Sequence, residues 1–198
     1  MKGNTPMTRR QGTRGELVRS SAADRTGTST ADWPDRVHAV LSACDVRQVP
    51  YVPDSGHARL IELCRADRNM RAVPLTTEEE GVAMLAGAWL GGERGALLMQ
   101  SSGAGNCINM LGTIAECRFP LLMLVTMRGQ WGEFNPWQVP MSQATVPALT
   151  AIGVVTQPVD EAERVAETVE AAARLAFNTG RAVAVLISQR IVGAKQFK

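Results

Sequence analysis

Four short stretches of this 198-residue chain combine residue types that can do chemistry. Three consecutive glutamates, Glu78-Glu79-Glu80, stand between Thr77 and Gly81. A carboxyl held in a largely apolar crevice can exchange a proton, because desolvation disfavours its charged form. An apolar strand-like run ending at Met99 passes into Gln100-Ser101-Ser102-Gly103-Ala104-Gly105-Asn106. Passages of this kind can hold an anion on backbone N–H groups where a strand gives way to a helix. Asp54 and Ser55 lie in the turn Pro53-Asp54-Ser55-Gly56, and Arg128-Gly129 follows the most apolar run of the chain. An arginine suits a planar or tetrahedral anion such as carboxylate, sulfonate or phosphonate.

Each stretch also has a plain structural reading. Acidic residues in a helix's first turn compensate the positive end of its dipole. Arg128 can be a solvated loop charge, and His38 and His57 are lone histidines with no partner pattern. The glycine passage does not complete GxGxxG, and no Lys-Ser/Thr pair follows it, so neither a dinucleotide fingerprint nor a P-loop is present.

The elements that must position these residues alternate in type. Asp32 caps a helix through Ala43, with Pro34 tolerated in its first turn. A strand over 47–52, the turn 53–56, a helix over 57–68 and a strand over 71–75 follow. Thr76 or Thr77 caps a third helix that opens on the three glutamates. A buried strand over 96–99 leads through the glycine passage into a helix ending near Arg118. The apolar strand 120–126 precedes a polar, Gly/Pro-containing segment, 127–141. A helix, a strand over 154–157, a helix over 160–178 and a strand over 182–187 close the chain. Such alternation predicts a three-layer α/β/α fold with a mainly parallel sheet covered on both faces. Ligands bind such sheets beyond the carboxyl ends of the strands. Segments 53–56, 76–80, 100–106 and 127–141 are therefore expected around one crevice.

Composition excludes several classes. A formal net charge of +2, evenly spread, gives no nucleic-acid footprint. The longest apolar run, 120–126, falls far short of the roughly 20 residues that span a bilayer. Four cysteines, Cys44, Cys64, Cys107 and Cys117, form no CxxC pair and no zinc-like spacing, which fits a reduced cytoplasmic protein. Residues 1–31 are rich in Arg, Thr, Ser and Gly and nearly free of large apolar residues, so a disordered tail is expected before a single domain over 32–198.

Taken together and in this order, the motifs resemble the pyrimidine-binding domain of thiamine-diphosphate enzymes, above all the sulfopyruvate and phosphonopyruvate decarboxylases. The resemblance is carried by Val52-Pro53-Asp54-Ser55, by Thr77-Glu78-Glu79-Glu80-Gly81 with Ala86-Gly87-Ala88-Trp89-Leu90-Gly91-Gly92, by Met99-Gln100-Ser101-Ser102-Gly103-Ala104-Gly105-Asn106, and by Arg128-Gly129. It covers nearly all of 32–198. It implies a glutamate that hydrogen-bonds the cofactor's pyrimidine ring and drives it to the tautomer that activates the thiazolium, the cofactor then serving as electron sink. In the family this glutamate lies ten positions before an aromatic in the same helix. Counting from Trp89 selects Glu79, with Glu80 as the fallback. The resemblance further implies substrate-facing roles for Asp54, Ser55, Gln100, Ser101 and Arg128. It implies close backbone approach to the cofactor at Gly105 and Asn106.

Two departures refine the expectation. Phosphonopyruvate enzymes carry Pro-Gln-His after the Arg-Gly segment, whereas this chain reads Trp137-Gln138-Val139-Pro140-Met141, closer to the sulfopyruvate branch. The family's Gly-Asp-Gly motif, which holds Mg²⁺ and the diphosphate, does not occur in this sequence. A hard cation needs carboxylate and carbonyl oxygens. The resemblance therefore implies an α subunit whose thiamine diphosphate and Mg²⁺ lie against a separate β subunit in a hetero-oligomer. The expected reaction is decarboxylation of a small anionic 2-oxo acid, 3-sulfopyruvate first. Alternatives are a phosphonopyruvate or aryl 2-oxo acid decarboxylase, a carboligase, a non-catalytic regulatory subunit, and a free-standing nucleotide-binding domain.

Overall fold

Helical and extended segments follow one another because the apolar period switches between them. Helix α1 (Trp33–Ala43) buries Val37 and Leu41, one turn apart, and carries Pro34 where no intrahelical N–H bond is lost. Helix α7 (Val165–Thr179) buries Val165, Val169, Ala172, Ala173 and Ala176 along one stripe and stops at Gly180, whose φ is +63°. Strands β4 (Leu121–Thr126) and β6 (Ala182–Ile187) are buried at every position, as central strands covered on both faces must be.

The computed structural model describes residues 32–194, and the tail expected over 1–31 lies outside the described residues. The remaining elements are β1 (Val46–Tyr51), α2 (Ala58–Ala66), β2 (Arg71–Pro74), α3 (Glu78–Leu90), β3 (Arg94–Gln100), α4 (Ser101–Asn106), α5 (Ile108–Cys117), α6 (Gln138–Ala151), β5 (Val155–Val159) and α8 (Gln189–Val192). The strands form one six-stranded sheet in the order β2-β1-β3-β4-β6-β5, and every pairing is parallel.

Side-chain alternation along the strands divides the core in two. Leu98, Leu122, Leu124, Val183 and Val185 face a cluster completed by α1, α2 and α7. Leu97, Met99, Leu121, Met123, Val125 and Leu186 face the cluster completed by α3, α4, α5 and α6. The predicted three-layer α/β/α architecture is therefore the observed one. From β1 the chain steps outward to β2, and from β3 it proceeds the other way, so the order reverses between β1 and β3. The turns leaving those two strands flank the crevice that such a reversal opens.

Local differences from the sequence reading have physical causes. The glycine passage expected as a turn is already helical as α4, a separate short helix before α5. Thr77 holds the N-cap position of α3 without a side-chain cap bond; Glu80 instead accepts from the Thr76 backbone N–H at 3.0 Å. The bond falls one residue before the N-cap, a displaced capping contact rather than a capping box. The polar segment 127–141 is irregular only to residue 137, since α6 begins at Gln138.

Leu124 is fully buried on a central strand and packs in the larger cluster. Leu124→Ala is expected to lower unfolding free energy by about 2–5 kcal/mol through lost burial and the cavity left behind. Urea denaturation should show a lower midpoint with an unchanged slope.

Candidate active site

The carboxyl ends of β1, β3 and β4 bring together most of the residues singled out from the sequence. After β1, Asp54 turns its carboxylate toward β4, where Oδ2 accepts from Thr126 Oγ1 at 2.6 Å. The turn is braced from below by His57, which is fully buried and donates from Nε2 to the Leu124 carbonyl at 3.0 Å. Burial lowers the His57 pKa, opposed by the nearby Asp54 charge and by backbone acceptors at Leu124 and Met99. It is a neutral structural brace, as expected of a lone histidine. Asp54, Ser55, Gly56, Thr126 and Arg128, with Val192–Ala194 of the C-terminal segment, line a cavity of about 230 Å³.

After β3, the first residues of α4 meet the loop that follows β4. Ser101 is fully buried, and its Oγ accepts from the Arg128 backbone N–H at 3.0 Å. Gln100 Oε1 accepts from Arg128 Nη1 at 3.4 Å. The Arg128 side chain is 8% exposed and is paired with Glu133, itself 3% exposed, through Nε at 2.8 Å and Nη2 at 2.7 Å. Arg128 is thus no solvated loop charge. Its charge is matched within the protein, so what it offers the cavity is a guanidinium edge with N–H donors rather than a net positive charge.

The other end of α4 meets α3. Glu78 is buried at 5% exposure, and its Oε2 accepts from Asn106 Nδ2 at 2.9 Å. Gly103 lies directly beneath the carboxylate: a Cβ there would stand 2.2 Å from Glu78 Oε1. Glycine is required at this position for the close approach of helix and carboxyl. Gly105 serves a different contact, since a Cβ on it would fall 2.9 Å from the Met141 sulfur of α6. It lets α4 and α6 pack closely.

Glu79, selected by counting from Trp89, is exposed, and Glu80 is exposed and engaged in the capping bond. The residue brought inside is Glu78, which the sequence reading passed over. A signal for it was present. Glu78 lies four and seven positions before Val82 and Leu85, so a helix starting at 78 puts all three on one buried stripe. Thr126, Glu133 and Gln189 also went unnoticed, and for the last two the pattern holds no local cue.

The remaining titratable groups narrow the chemistry. Cys107 beside this cluster is pushed up to about 12 by burial first and then by Glu78 and Glu79, so it is no thiolate nucleophile. Among the described residues no group of three or more His, Cys, Asp or Glu side chains could hold a metal ion. No helix of the described residues is long and apolar enough to cross a membrane. What the arrangement presents is a buried carboxyl held by one carboxamide, and a polar cavity with donors for an anion.

Glu133 is held down to about 2, from an ordinary 4.5, by Arg128 first and by the Asn135 and Gly129 backbone N–H groups, against the opposing effect of burial. Because the folded-state value is depressed, its stabilisation is present above the ordinary carboxyl range and is lost as pH falls toward about 2. A ¹³C NMR titration of the side-chain carboxyls should show Glu133 without a step between pH 4 and 5, where exposed glutamates titrate.

Residues 34–145, more than half the chain, match the family described as thiamine pyrophosphate enzyme, N-terminal TPP binding domain, thiamine pyrophosphate being the same cofactor as thiamine diphosphate. The chain is 32% identical over 157 residues to the sulfopyruvate decarboxylase subunit alpha of Methanothermobacter thermautotrophicus, covering 79% of this chain and 95% of that one. It is 30% identical to the same subunit of Methanococcus maripaludis over 77% of this chain and 92% of that one. The phosphonopyruvate decarboxylase of Streptomyces hygroscopicus is 38% identical over 96 residues, 48% of this chain and 24% of that protein. A solved 2-oxoglutarate:ferredoxin oxidoreductase from Magnetococcus marinus shares the fold, with a TM-score of 0.66 at 15% identity over 81% of this chain and 29% of that one. With more than half its length matched and a relative covered almost end to end, the chain belongs to the thiamine pyrophosphate enzymes as an N-terminal TPP-binding domain akin to the alpha subunits of the sulfopyruvate decarboxylases.

Proposed function

We propose that this chain is the α subunit of a thiamine-diphosphate-dependent decarboxylase of a small anionic 2-oxo acid, 3-sulfopyruvate before others. The observation that carries the reading is the buried Glu78 carboxyl, bonded to Asn106 over Gly103 at the start of α3. A carboxyl so placed suits a ring nitrogen of the cofactor's pyrimidine, toward which it can hold or release a proton. The cofactor, when bound, supplies the nucleophilic carbon and the electron sink for loss of CO₂. Glu78 takes the pyrimidine role here in place of Glu79, whose side chain points to solvent. Asn106 orients that carboxyl and Gly103 admits it, while Gly105 acts on the site through the packing of α6.

Asp54, Ser55, Gln100, Ser101 and Arg128 form the substrate side. The cavity lined by Asp54, Ser55, Thr126 and Arg128 combines a carboxylate, hydroxyls and a guanidinium edge, a set able to orient a carboxylate or sulfonate by hydrogen bonds. Gln100 and Ser101 act through Arg128, which both contact. The diphosphate and Mg²⁺ fall to a separate β chain in a hetero-oligomer, a reading supported by the name "subunit alpha" that the relatives carry. The cytoplasmic setting is part of the same proposal and rests on the cysteine usage. A phosphonopyruvate decarboxylase is the second reading, favoured by the 38% identity to the Streptomyces enzyme over the segment they share.

Two carboxamide variants test the assignment on the chain combined with its diphosphate-binding partner. Glu78→Gln should lower kcat by about 10²–10⁴-fold, the usual contribution of a positioned acid–base group. Glu79→Gln should stay within a few-fold of wild type. The reverse pattern would return the role to Glu79. Calorimetric titration of thiamine diphosphate with Mg²⁺ should show tight binding only in the mixture of chains. Tight binding to the lone chain would overturn the split site, and a panel of 3-sulfopyruvate, phosphonopyruvate and an aryl 2-oxo acid separates the substrates by CO₂ release.

A further inference from the structure

The loop between β4 and α6, residues 127–137, contains no helix or strand, yet it carries Arg128 at the edge of the crevice. A loop of this length holds one conformation only if its backbone groups find partners elsewhere. Those partners come from two side chains. Glu133 accepts from Arg128 Nε and Nη2, from the Gly129 N–H at 3.1 Å, from the Asn135 N–H at 3.1 Å and from Gln189 Nε2 at 3.0 Å. A carboxylate offers about four lone-pair sites, so its accepting capacity is used up. Gln189, 1% exposed at the start of α8, accepts from the Gln130 N–H at 2.8 Å and the Trp131 N–H at 3.0 Å. Its own N–H donates to Gln130 Oε1 at 3.1 Å.

We infer that Glu133 and Gln189 are positioning residues that latch this loop to the C-terminal segment, so that Arg128 presents its backbone N–H to Ser101 and its guanidinium to Gln100. The inference rests on the reading of this crevice as the substrate side of the site. Both ends of the network reach that crevice. One is Arg128, which lines the cavity and bonds to Gln100 at the end of β3 and to Ser101 at the start of α4. The other fixes α8, after which Val192–Ala194 form one wall of the cavity facing Asp54 and Ser55. Loss of the Gln189 carboxamide orphans the Gln130 and Trp131 N–H groups and removes one donor to Glu133. Loss of the Glu133 charge leaves a nearly buried guanidinium unmatched. Neither residue belongs to an apolar core cluster, so the damage is expected in the loop and what it aims.

Gln189→Ala and Glu133→Gln in the full chain test the latch by hydrogen–deuterium exchange. The expected result is exchange faster by about tenfold or more at Gly129, Gln130 and Trp131, with the β4 and β6 amides unchanged. In the complex with the diphosphate-binding chain, kcat on the 2-oxo acid should fall by about tenfold while thiamine diphosphate affinity stays within about twofold, the mark of misaimed substrate-side groups. Unchanged exchange at those three amides would overturn the latch. Faster exchange with unchanged kcat would overturn the positioning role. Should Glu133→Gln fail to fold, Gln189→Ala carries the test alone, since it removes no charge. Failure of the decarboxylase reading shows differently: the wild-type complex itself is then inactive, while exchange at the three amides still responds.

Discussion

A sheet whose six strands all run the same way delivers every strand-to-helix turn to one end, and the site of this protein follows from that constraint. The central strands β4 and β6 are buried at each position because helices cover both faces, and the one polar residue in them, Thr126, stands at the carboxyl end of β4. Polar residues are displaced to the strand ends. Where the strand order reverses between β1 and β3, the departing turns diverge and leave a crevice lined by Asp54 and Ser55, with Ser101 buried behind it against Arg128.

Helix α4 joins the two halves of that crevice. Its first residues bond to Arg128, and its last bonds to Glu78. A six-residue helix can do this because Gly103 and Gly105 let it approach α3 and α6 more closely than any side chain would permit. The cost of glycine in a helix is about 1 kcal/mol each, a cost that close approach at a site can justify. Two carboxyls are consequently buried within reach of α4, and they are stabilised in opposite ways. Glu133 is saturated by donors and paired with arginine, which makes it a fixed structural anion. Glu78 accepts a neutral carboxamide donor at one oxygen and carries no such ion pair, an environment suited to a group whose hydrogen bonding must change during a reaction.

The same division separates what could be read in the primary structure from what could not. The alternation of elements was legible because the apolar period changes sharply between segments such as Val165–Ala176 and Leu121–Thr126. The four polar segments were legible because their composition contrasts with the apolar strands they follow. Their individual roles were harder. Among three adjacent glutamates, a count tied to Trp89 chose an exposed side chain, whereas the helical stripe through Val82 and Leu85 points at Glu78. Arg128 was visible as a cation, but Glu133, the partner that neutralises it, had no pattern to mark it.

By itself, then, the sequence determined the fold class, the segments that gather at the carboxyl edge and the family to which they belong. Each of these depends on local periodicity or on the order of motifs along the chain. Only the tertiary structure decided which glutamate is buried, that Arg128 is paired with Glu133, and that Gln189 ties α8 to a loop some 60 residues earlier. These are contacts between residues far apart in sequence, and a side chain's direction and partners there are set by packing, which no single segment encodes.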